Sequence, residues 1–323
     1  MISHRYDRRN GADQVERGTA LTVRHAEWLL AAVIAARATS FLFSKILLID
    51  MGPLSLLGLR FAIAFVLLAA LFRRSLRGLS RRDIAHGAVI GASFFATMVF
   101  ELCALDQAPS SRVSLLENVA IVLVPLGEAA LARRLPRATT AAAALFALGG
   151  VACLTAGGSS EAEATWGAGD GLALGAAACY AIAIMATARL SREGDALGLG
   201  IVQIGVMGAL GLAAAFLFDQ PSLPANEGQW ASLAALVIVC TGFGFTLQPL
   251  AQRYLSADRA ALFCALTPLV ASLLGIVVLG EPAGPATFAG LALIVGAMAI
   301  ANLPAPEQRA QARARTRGAG RCG

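Results

Sequence analysis

The sequence predicts an all-α, polytopic membrane protein with ten transmembrane helices, built as two inverted five-helix repeats. Composition, ten long apolar runs and a similarity between the two halves predict this fold class. Of the 323 residues, 57% are hydrophobic and only 14% are charged. A soluble chain needs a polar exterior that this composition does not supply, whereas a bilayer removes the need for one. Lipid offers the backbone no hydrogen-bond partners, so each crossing requires a helix of roughly 20 apolar residues.

The apolar runs are separated by short connections, which leave no room for a catalytic domain outside the membrane. Their spacing predicts helices throughout and no strands. The ten predicted spans are 27–48, 52–72, 84–105, 110–132, 138–157, 168–188, 197–218, 229–250, 258–279 and 284–303.

The connections alternate in charge, which orients the chain. Five arginines lie in segment 73–82, and further arginines follow the fourth, sixth and eighth spans. The other connections carry acidic residues, and only Lys45 and Arg112 break the alternation. Cytoplasmic connections carry the excess of basic residues. The sequence therefore predicts a multi-pass protein of the bacterial inner membrane with both termini in the cytoplasm, which requires an even number of spans.

Two segments of the chain resemble each other. In the fourth span an arginine precedes a proline, Arg112 and Pro125, and in the ninth span Arg259 precedes Pro268. The two gaps differ by about one helical turn. An odd number of spans in each half inverts the second copy, as in transporters that work by alternating access. Proline interrupts a helix, so we predict that Pro125 and Pro268 act in gating.

These boundaries divide the chain into five parts. They are an N-terminal cytoplasmic tail (1–25), a first repeat (26–157), a periplasmic connection (158–167), a second repeat (168–303) and an arginine-rich cytoplasmic tail (304–323).

Charged residues inside the spans are the first candidates for a substrate site. A charge near the bilayer centre costs at least about 2.5–3.5 kcal/mol, so each one needs a reason. Arg37 lies near mid-membrane, and Glu101, Glu117 and Asn118 lie in the outer halves of their spans. In one interpretation Arg37 meets a substrate carboxylate and a glutamate accepts a proton that couples transport. The alternative is a structural ion pair between Arg37 and Glu101 or Glu117.

Neutral polar residues of the sixth to eighth spans are the second set of candidates. Hydrogen-bonding or aromatic side chains there could line a cavity, although ordinary helix packing is the favoured explanation for each one taken alone. Near the inner surface, Glu128 is expected to form a salt bridge with Arg133, one turn away. The neutral candidates are Tyr180, Gln203, Thr241, Phe245 and Gln248.

The order of these residues resembles a known family. Segment 241–281 is similar to the second repeat of EamA-type drug/metabolite transporters, and segment 169–181 to the start of that family's sixth helix. Arg60 resembles the arginine of the family's second helix, which implies a structural or gating role. The resemblance implies ten helices, two EamA repeats and transport of small solutes, often export, without ATP. Thr267 and Arg134 stand where the family often has glutamate, so the substrate class stays open.

The sequence therefore predicts a secondary transporter of small metabolites, with export of amino acids, amines or related solutes favoured over uptake. Its expected partners are the small-molecule substrate, the bilayer and protons as a candidate coupling ion. We expect no enzyme activity, cofactor, metal or nucleic acid, because the three histidines are scattered and the only lysine, Lys45, is not in a phosphate-binding loop. The alternative is a membrane-embedded scaffold or receptor-like protein without transport activity.

Overall fold

The computed structural model describes residues 23–108, 110–133, 135, 138–156, 167–192, 194–267, 269–270 and 285–301. Over these residues every regular element is a helix. The helices are α1 (Val23–Ala38), α2 (Ser40–Leu47), α3 (Pro53–Leu71), α4 (Arg73–Arg77), α5 (Arg81–Gln107), α6 (Ser110–Glu117), α7 (Ala120–Leu131), α8 (Ala138–Ala156), α9 (Ala168–Leu190), α10 (Ala196–Phe218), α11 (Glu227–Ala235), the π-helix π1 (Leu236–Phe245), α12 (Thr246–Gln252), α13 (Ala257–Phe263) and α14 (Pro285–Ala301).

Six helical segments of the described chain are long and apolar enough to cross a membrane. The first joins α1 to α2, and the last joins α11, π1 and α12. They coincide with the first, second, third, sixth, seventh and eighth predicted spans. The six segments are Val23–Leu47, Pro53–Leu71, Arg81–Gln107, Ala168–Leu190, Ala196–Phe218 and Glu227–Gln252.

The other four predicted spans correspond to shorter pieces. The fourth is divided into α6 and α7, the fifth is α8 and the tenth is α14. The ninth begins as α13, but residues 268 and 271–284 lie outside the described residues. The all-helical, polytopic character is therefore established. The count of ten spans and the inverted relation of the two repeats stay predictions.

Glycines let three of the long helices approach closely. Helix α10 packs along α3 and α5, and α9 packs along α5. A Cβ atom on Gly58 of α3 would lie 2.7 Å from the backbone of Leu212, and one on Gly91 of α5 would lie 2.8 Å from the carbonyl oxygen of Gln203. In lipid there is no hydrophobic driving force between helices. Close contact between helices at small residues stabilises their packing instead. Helices α3, α5, α9 and α10 thus form the frame that carries the site.

One end of the bundle, here called the arginine-rich end, contains Arg77, Arg192 and Arg253. At this end Ser80 and Asp83 form a capping box that begins α5. Arg253 Nη1 donates to the Gly194 carbonyl at 3.0 Å, which ties the end of α12 to the loop before α10.

The opposite end is closed by contacts between polar side chains and helix ends. The Lys45 ammonium donates to the carbonyls of Leu105 and Ala108. A cation at this position is favoured, because the carbonyls at the C-terminus of α5 lack partners within the helix. The Ser55 hydroxyl donates to Asp219 at 3.1 Å. These contacts join α2 to α5 and α3 to the end of α10.

Candidate functional site

Arg37 lies at a break in the first span. Helix α1 ends at Ala38 and α2 begins at Ser40, so Arg37 occupies the last turn of α1. Its Nη1 donates to the Tyr180 hydroxyl at 3.1 Å and to Gln248 Oε1 at 2.8 Å. Neutral oxygen acceptors on two other helices therefore hold the guanidinium.

Aromatic rings form a wall around the same guanidinium. Its carbon lies 4.1 Å from the Phe245 ring centroid, 5.3 Å from that of Tyr180 and 5.5 Å from that of Phe94. Phe94 meets Phe245 edge-on, with centroids 5.4 Å apart. The faces of aromatic rings attract a cation, and the attraction grows when water is excluded. The wall therefore stabilises the charge of Arg37 without a counter-ion in contact with it.

Glu101 of α5 and Glu117 of α6 form a second buried group, the acidic pair. Their side chains hydrogen-bond to each other. The two residues are only 4% and 6% exposed. Two carboxyl groups from different helices thus lie together in the buried part of the site.

Asn118 follows the acidic pair in the chain and is also buried. Its Nδ2 donates to the Ser114 carbonyl at 2.6 Å. Its Oδ1 has no hydrogen-bond partner in the described part of the chain. An unpartnered buried acceptor costs free energy, so a donor brought to this oxygen would be stabilised.

Arg37, the acidic pair, Asn118 and Tyr180 line one central cavity. Its free volume is about 20 Å³, which is room for about one water molecule. The free space that the described residues leave around these groups is thus small. The lining residues are Ile34, Arg37, Ser40, Phe41, Met98, Glu101, Glu117, Asn118, Tyr180, Phe245, Cys264 and Thr267.

The structure forms neither of the two ion pairs that the sequence suggested. Within the described residues, Arg37 makes no ion pair with Glu101 or Glu117, because its hydrogen bonds go to neutral atoms. Glu128 pairs with Arg189 at 2.9 Å rather than with Arg133. Arg133 lies beyond the end of α7 in a left-handed conformation, with φ 51°, so it is not placed one helical turn from Glu128.

Arg60 lies behind the cavity, in α3, and is 2% exposed. Its Nε donates to the Thr241 hydroxyl at 2.7 Å. Its guanidinium carbon lies 5.0 Å from the Phe61 ring centroid and 5.9 Å from that of Phe245. Phe245 therefore contacts both buried arginines, one on each side.

The π-helix π1 contacts both arginines from one backbone segment. Thr241 binds Arg60 and Phe245 stacks on Arg37. The Cys240 sulfur lies 3.3 Å from the Thr39 hydroxyl, beside the break between α1 and α2. A Cβ atom on Gly244 would lie 2.7 Å from Arg37 Cγ, so glycine is required for the arginine to pass. Single π-helical turns are frequent at functional sites.

The remaining predicted site residues fall in different places. Gln248 does not line the cavity but accepts a hydrogen bond from Arg37, which does. Thr241 likewise does not line it and accepts a hydrogen bond from Arg60. Gln203 is fully buried at the contact between α10 and α5 and is not among the cavity-lining residues. Pro125 is buried within α7. Pro268 lies outside the described residues.

A second space, the arginine-rich cleft, lies at the arginine-rich end on the same helices. Its volume is about 420 Å³. Helix α9 carries Tyr180 in the cavity and Ala188 in the cleft, roughly two turns apart. Along α7 and α9, three fully buried apolar residues lie between the two sets of lining residues and are here called the apolar plug: Ile121, Val124 and Ile184. The cleft is lined by Pro125, Glu128, Ala129, Leu135, Ala188, Arg189, Arg192, Ser256, Ala257 and Asp258.

Phe94 is the main functional residue that the sequence analysis missed. The spacing could have identified it: Phe94 precedes Glu101 by about two helical turns, so the two residues lie on the same face of α5. The contribution of Cys264, which lies 3.4 Å from the Tyr180 hydroxyl, carried no such signal.

Comparison with known proteins supports the sequence-based resemblance. The family model described as the EamA-like transporter family matches twice, at residues 26–156 and 167–303. No curated protein matches the chain. A solved crystal structure, described only as that of a protein, aligns with a TM-score of 0.71 and 22% sequence identity, covering 86% of this chain and 96% of that one. At this identity the likeness concerns the fold alone.

Proposed function

Since the chain belongs to the EamA-like transporter family, we propose that it is a secondary transporter that exports a small metabolite through the central cavity. The observation that carries this proposal is the central cavity, which is lined by a partly buried cation, a buried acidic pair and an unpartnered acceptor. Helices from both matched segments line it: α1, α5 and α6 belong to the first, and α9 and π1 to the second. A site between two repeats is what alternating access requires.

The chemistry of the cavity favours an amino acid, an amine or a related solute. Arg37 supplies hydrogen-bond donors for a carboxylate. Asn118 Oδ1 and the acidic pair supply acceptors for an ammonium group. The aromatic wall offers an apolar surface for the rest of the molecule. An amino acid would use both ends of the site, and a simple amine only the acceptor end.

Transport requires the helices to move, because about 20 Å³ cannot hold a metabolite. In our proposal the arginine-rich end faces the cytoplasm of a bacterial cell, with both termini there. Substrate would then enter through the arginine-rich cleft and pass the apolar plug when it parts. Ten helices in two inverted repeats would supply the two symmetric states. Arg60, Pro125 and Pro268 would act in gating.

A scaffold or receptor without transport activity is the rival function. Such a protein gains nothing from buried polar atoms that lack partners, since each one costs about 1–3 kcal/mol. Asn118 Oδ1 and Gln248 Nε2 are buried and without a partner in the described chain. Asn118 lines the cavity, and its free acceptor there supports a ligand site over a scaffold.

The proposal is tested with the full chain reconstituted in liposomes. Labelled L-phenylalanine, L-threonine, L-lysine and putrescine are offered outside, against an excess of the same unlabelled compound inside. We expect counterflow of at least one probe above that of empty liposomes. If no probe exchanges while the protein is folded and inserted, transport of this class is rejected and the scaffold function is adopted.

A further inference from the structure

We propose that the arginine-rich end carries a binding site for the phosphate group of an anionic phospholipid, held between Arg192 and Arg253. This inference goes beyond the proposed function, because it concerns a ligand other than the transported solute and a space other than the central cavity. The site is a cavity of about 520 Å³, here called the arginine basin. It is lined by Arg192, Arg253, Tyr254, Leu255 and Ser256.

The charge of the arginine basin is not balanced by its own lining. Its lining residues supply two guanidinium groups and no carboxylate. Arg189, three residues before Arg192, is neutralised by Glu128 at 2.9 Å. In the described part of the chain neither Arg192 nor Arg253 forms such an ion pair. Glu193, which follows Arg192, lies outside the described residues. Two positive charges in one cavity favour the binding of an anion.

Hydrogen bonds to the backbone hold both guanidinium groups in place. Arg192 Nε donates to the Ala188 carbonyl at 3.0 Å, and Arg253 Nη1 donates to the Gly194 carbonyl at 3.0 Å. A guanidinium has five N–H donors. Arg192 therefore keeps its two Nη groups for a ligand, and Arg253 keeps Nε and Nη2. Each set is a planar fork of donors, which matches two oxygens of a phosphate.

The position of the basin along the membrane normal favours a lipid phosphate. Arg192 follows the apolar segment Ala168–Leu190 by two residues, and Arg253 directly follows the segment Glu227–Gln252. Residues just beyond the ends of membrane-spanning helices lie at the level of the lipid headgroups. Tyr254 is an aromatic residue at the same level, where such rings are enriched. Basic pockets between such helices bind the headgroups of anionic lipids.

The neighbouring arginine-rich cleft supplies an apolar surface for the rest of the lipid. The two spaces share Arg192 and Ser256. In the cleft, the side chain of Leu135 is 91% exposed, and Pro125 and Ala129 also belong to the lining. The glycerol esters and the start of an acyl chain would cover this surface, and removing apolar area from water is favourable. A soluble phosphate has no group that could do so.

The test is native mass spectrometry of the purified full-length chain in detergent, which measures the Kd of the first bound lipid. Phosphatidylglycerol is the anionic probe, and phosphatidylcholine is the zwitterionic one. We expect phosphatidylglycerol to bind the wild type more tightly. One arginine near the membrane surface contributes about fivefold to the affinity for an anionic lipid. Arg192→Gln and Arg253→Gln should each raise the Kd of phosphatidylglycerol by that factor, and the double variant by about twenty-five-fold.

Three controls separate phosphate binding from other causes. Arg77→Gln removes the same charge from the exposed helix α4, outside the basin, and should leave the Kd unchanged. The double variant Arg192→Lys and Arg253→Lys keeps both charges, so it should bind phosphatidylglycerol within about threefold of the wild type. Glycerol 3-phosphate has the phosphate but no acyl chains, so it should bind at least about tenfold more weakly than the lipid.

The opposite results would overturn the inference. An unchanged Kd in the double glutamine variant would remove the two arginines from lipid binding. An equal loss in Arg77→Gln would mean that net charge alone attracts the lipid. A loss in the lysine variant as large as in the glutamine variant would assign the effect to the bonds with the backbone carbonyls. Glycerol 3-phosphate binding as tightly as the lipid would make this a site for soluble phosphates. None of these results depends on transport.

Discussion

The arginines at the centre of the molecule and those at its arginine-rich end are held in opposite ways. Arg37 and Arg60 contact a tyrosine, a glutamine, a threonine and aromatic rings. Arg189 and Arg259 instead form direct ion pairs, with Glu128 and Glu27. The central arginines are buried or nearly so, whereas the side chains of Arg189 and Arg259 are 45% and 38% exposed.

This difference distinguishes charges that are already paired within the protein from charges that can still bind a ligand. A carboxylate that already pairs with arginine has few acceptor positions free for a ligand. At the centre the carboxyl groups bind each other, and the arginine is held by neutral groups, so both remain open to new partners. At the arginine-rich end the ion pairs are satisfied and partly exposed, which limits each to about 0–1 kcal/mol.

Replacing Arg37 should give the largest effect. Hydrogen bonds to a charged group contribute about 1.5–3 kcal/mol each, and the guanidinium makes two. We expect Arg37→Ala to lower counterflow of the transported probe about a hundredfold. Arg37→Lys should not restore it, because a single ammonium lacks the planar fork of donors. Arg77→Ala, on the exposed helix α4, is the control and should transport normally. Normal transport by a stable Arg37→Ala variant would remove Arg37 from the site.

Gly244→Ala tests the same arginine from the π1 side. The added methyl would lie 2.7 Å from Arg37 Cγ. Displacing a packed side chain costs about 1–3 kcal/mol, so we expect the apparent affinity for the probe to fall about tenfold. Gly171→Ala in α9 is the matched control, because a Cβ there meets nothing within 4 Å. Equal affinities for the two variants would show that π1 does not fix the position of Arg37.

Tyr180→Phe removes one hydrogen bond to Arg37 and keeps the aromatic wall. This bond is one of the two to the charged guanidinium, each of which contributes about 1.5–3 kcal/mol, so KM of the probe should rise about tenfold. The control is Tyr254→Phe, next to Arg253 at the arginine-rich end. A rise in KM for the control as large as that for Tyr180→Phe would contradict a specific role for the Tyr180 hydroxyl.

Glu128→Gln should give the smallest effect. The ion pair with Arg189 is partly exposed and screened, so the free energy of unfolding should change by less than about 1 kcal/mol. Thermal unfolding in detergent measures this change, with Arg189→Gln as the second variant of the pair. A loss of several kcal/mol would contradict this prediction. It would mean that the partly exposed ion pair stabilises the protein as strongly as the contacts of the central arginines do.

The sequence was sufficient to find the depth of the site but not its geometry. Charge inside an apolar span is costly wherever it faces, so Arg37, Glu101 and Glu117 could be identified without coordinates. Depth does not reveal rotation, and Gln203 illustrates this, because it has the right depth but is not among the cavity-lining residues. Helix rotation depends on packing between distant segments.

Besides helix rotation, local irregularities of the backbone could not be predicted from the sequence. The break at Thr39 and the π1 segment decide which side chains reach Arg37, and neither has a proline at its start. In the same way, the partner of Glu128 depends on where α7 ends. A regular helix places Arg133 within reach, and the left-handed turn removes it.

Lys45 is the only lysine among these 323 residues, and its amine is engaged by carbonyls at the end of α5. The wild-type chain therefore carries one side-chain amine, at the end opposite the arginines, that can serve as a chemical reporter. An amine-reactive label would modify Lys45 slowly while α2 and α5 stay joined and faster when they separate. The rate of labelling, read by mass spectrometry, would then follow the opening of that end without any engineered cysteine or fluorophore.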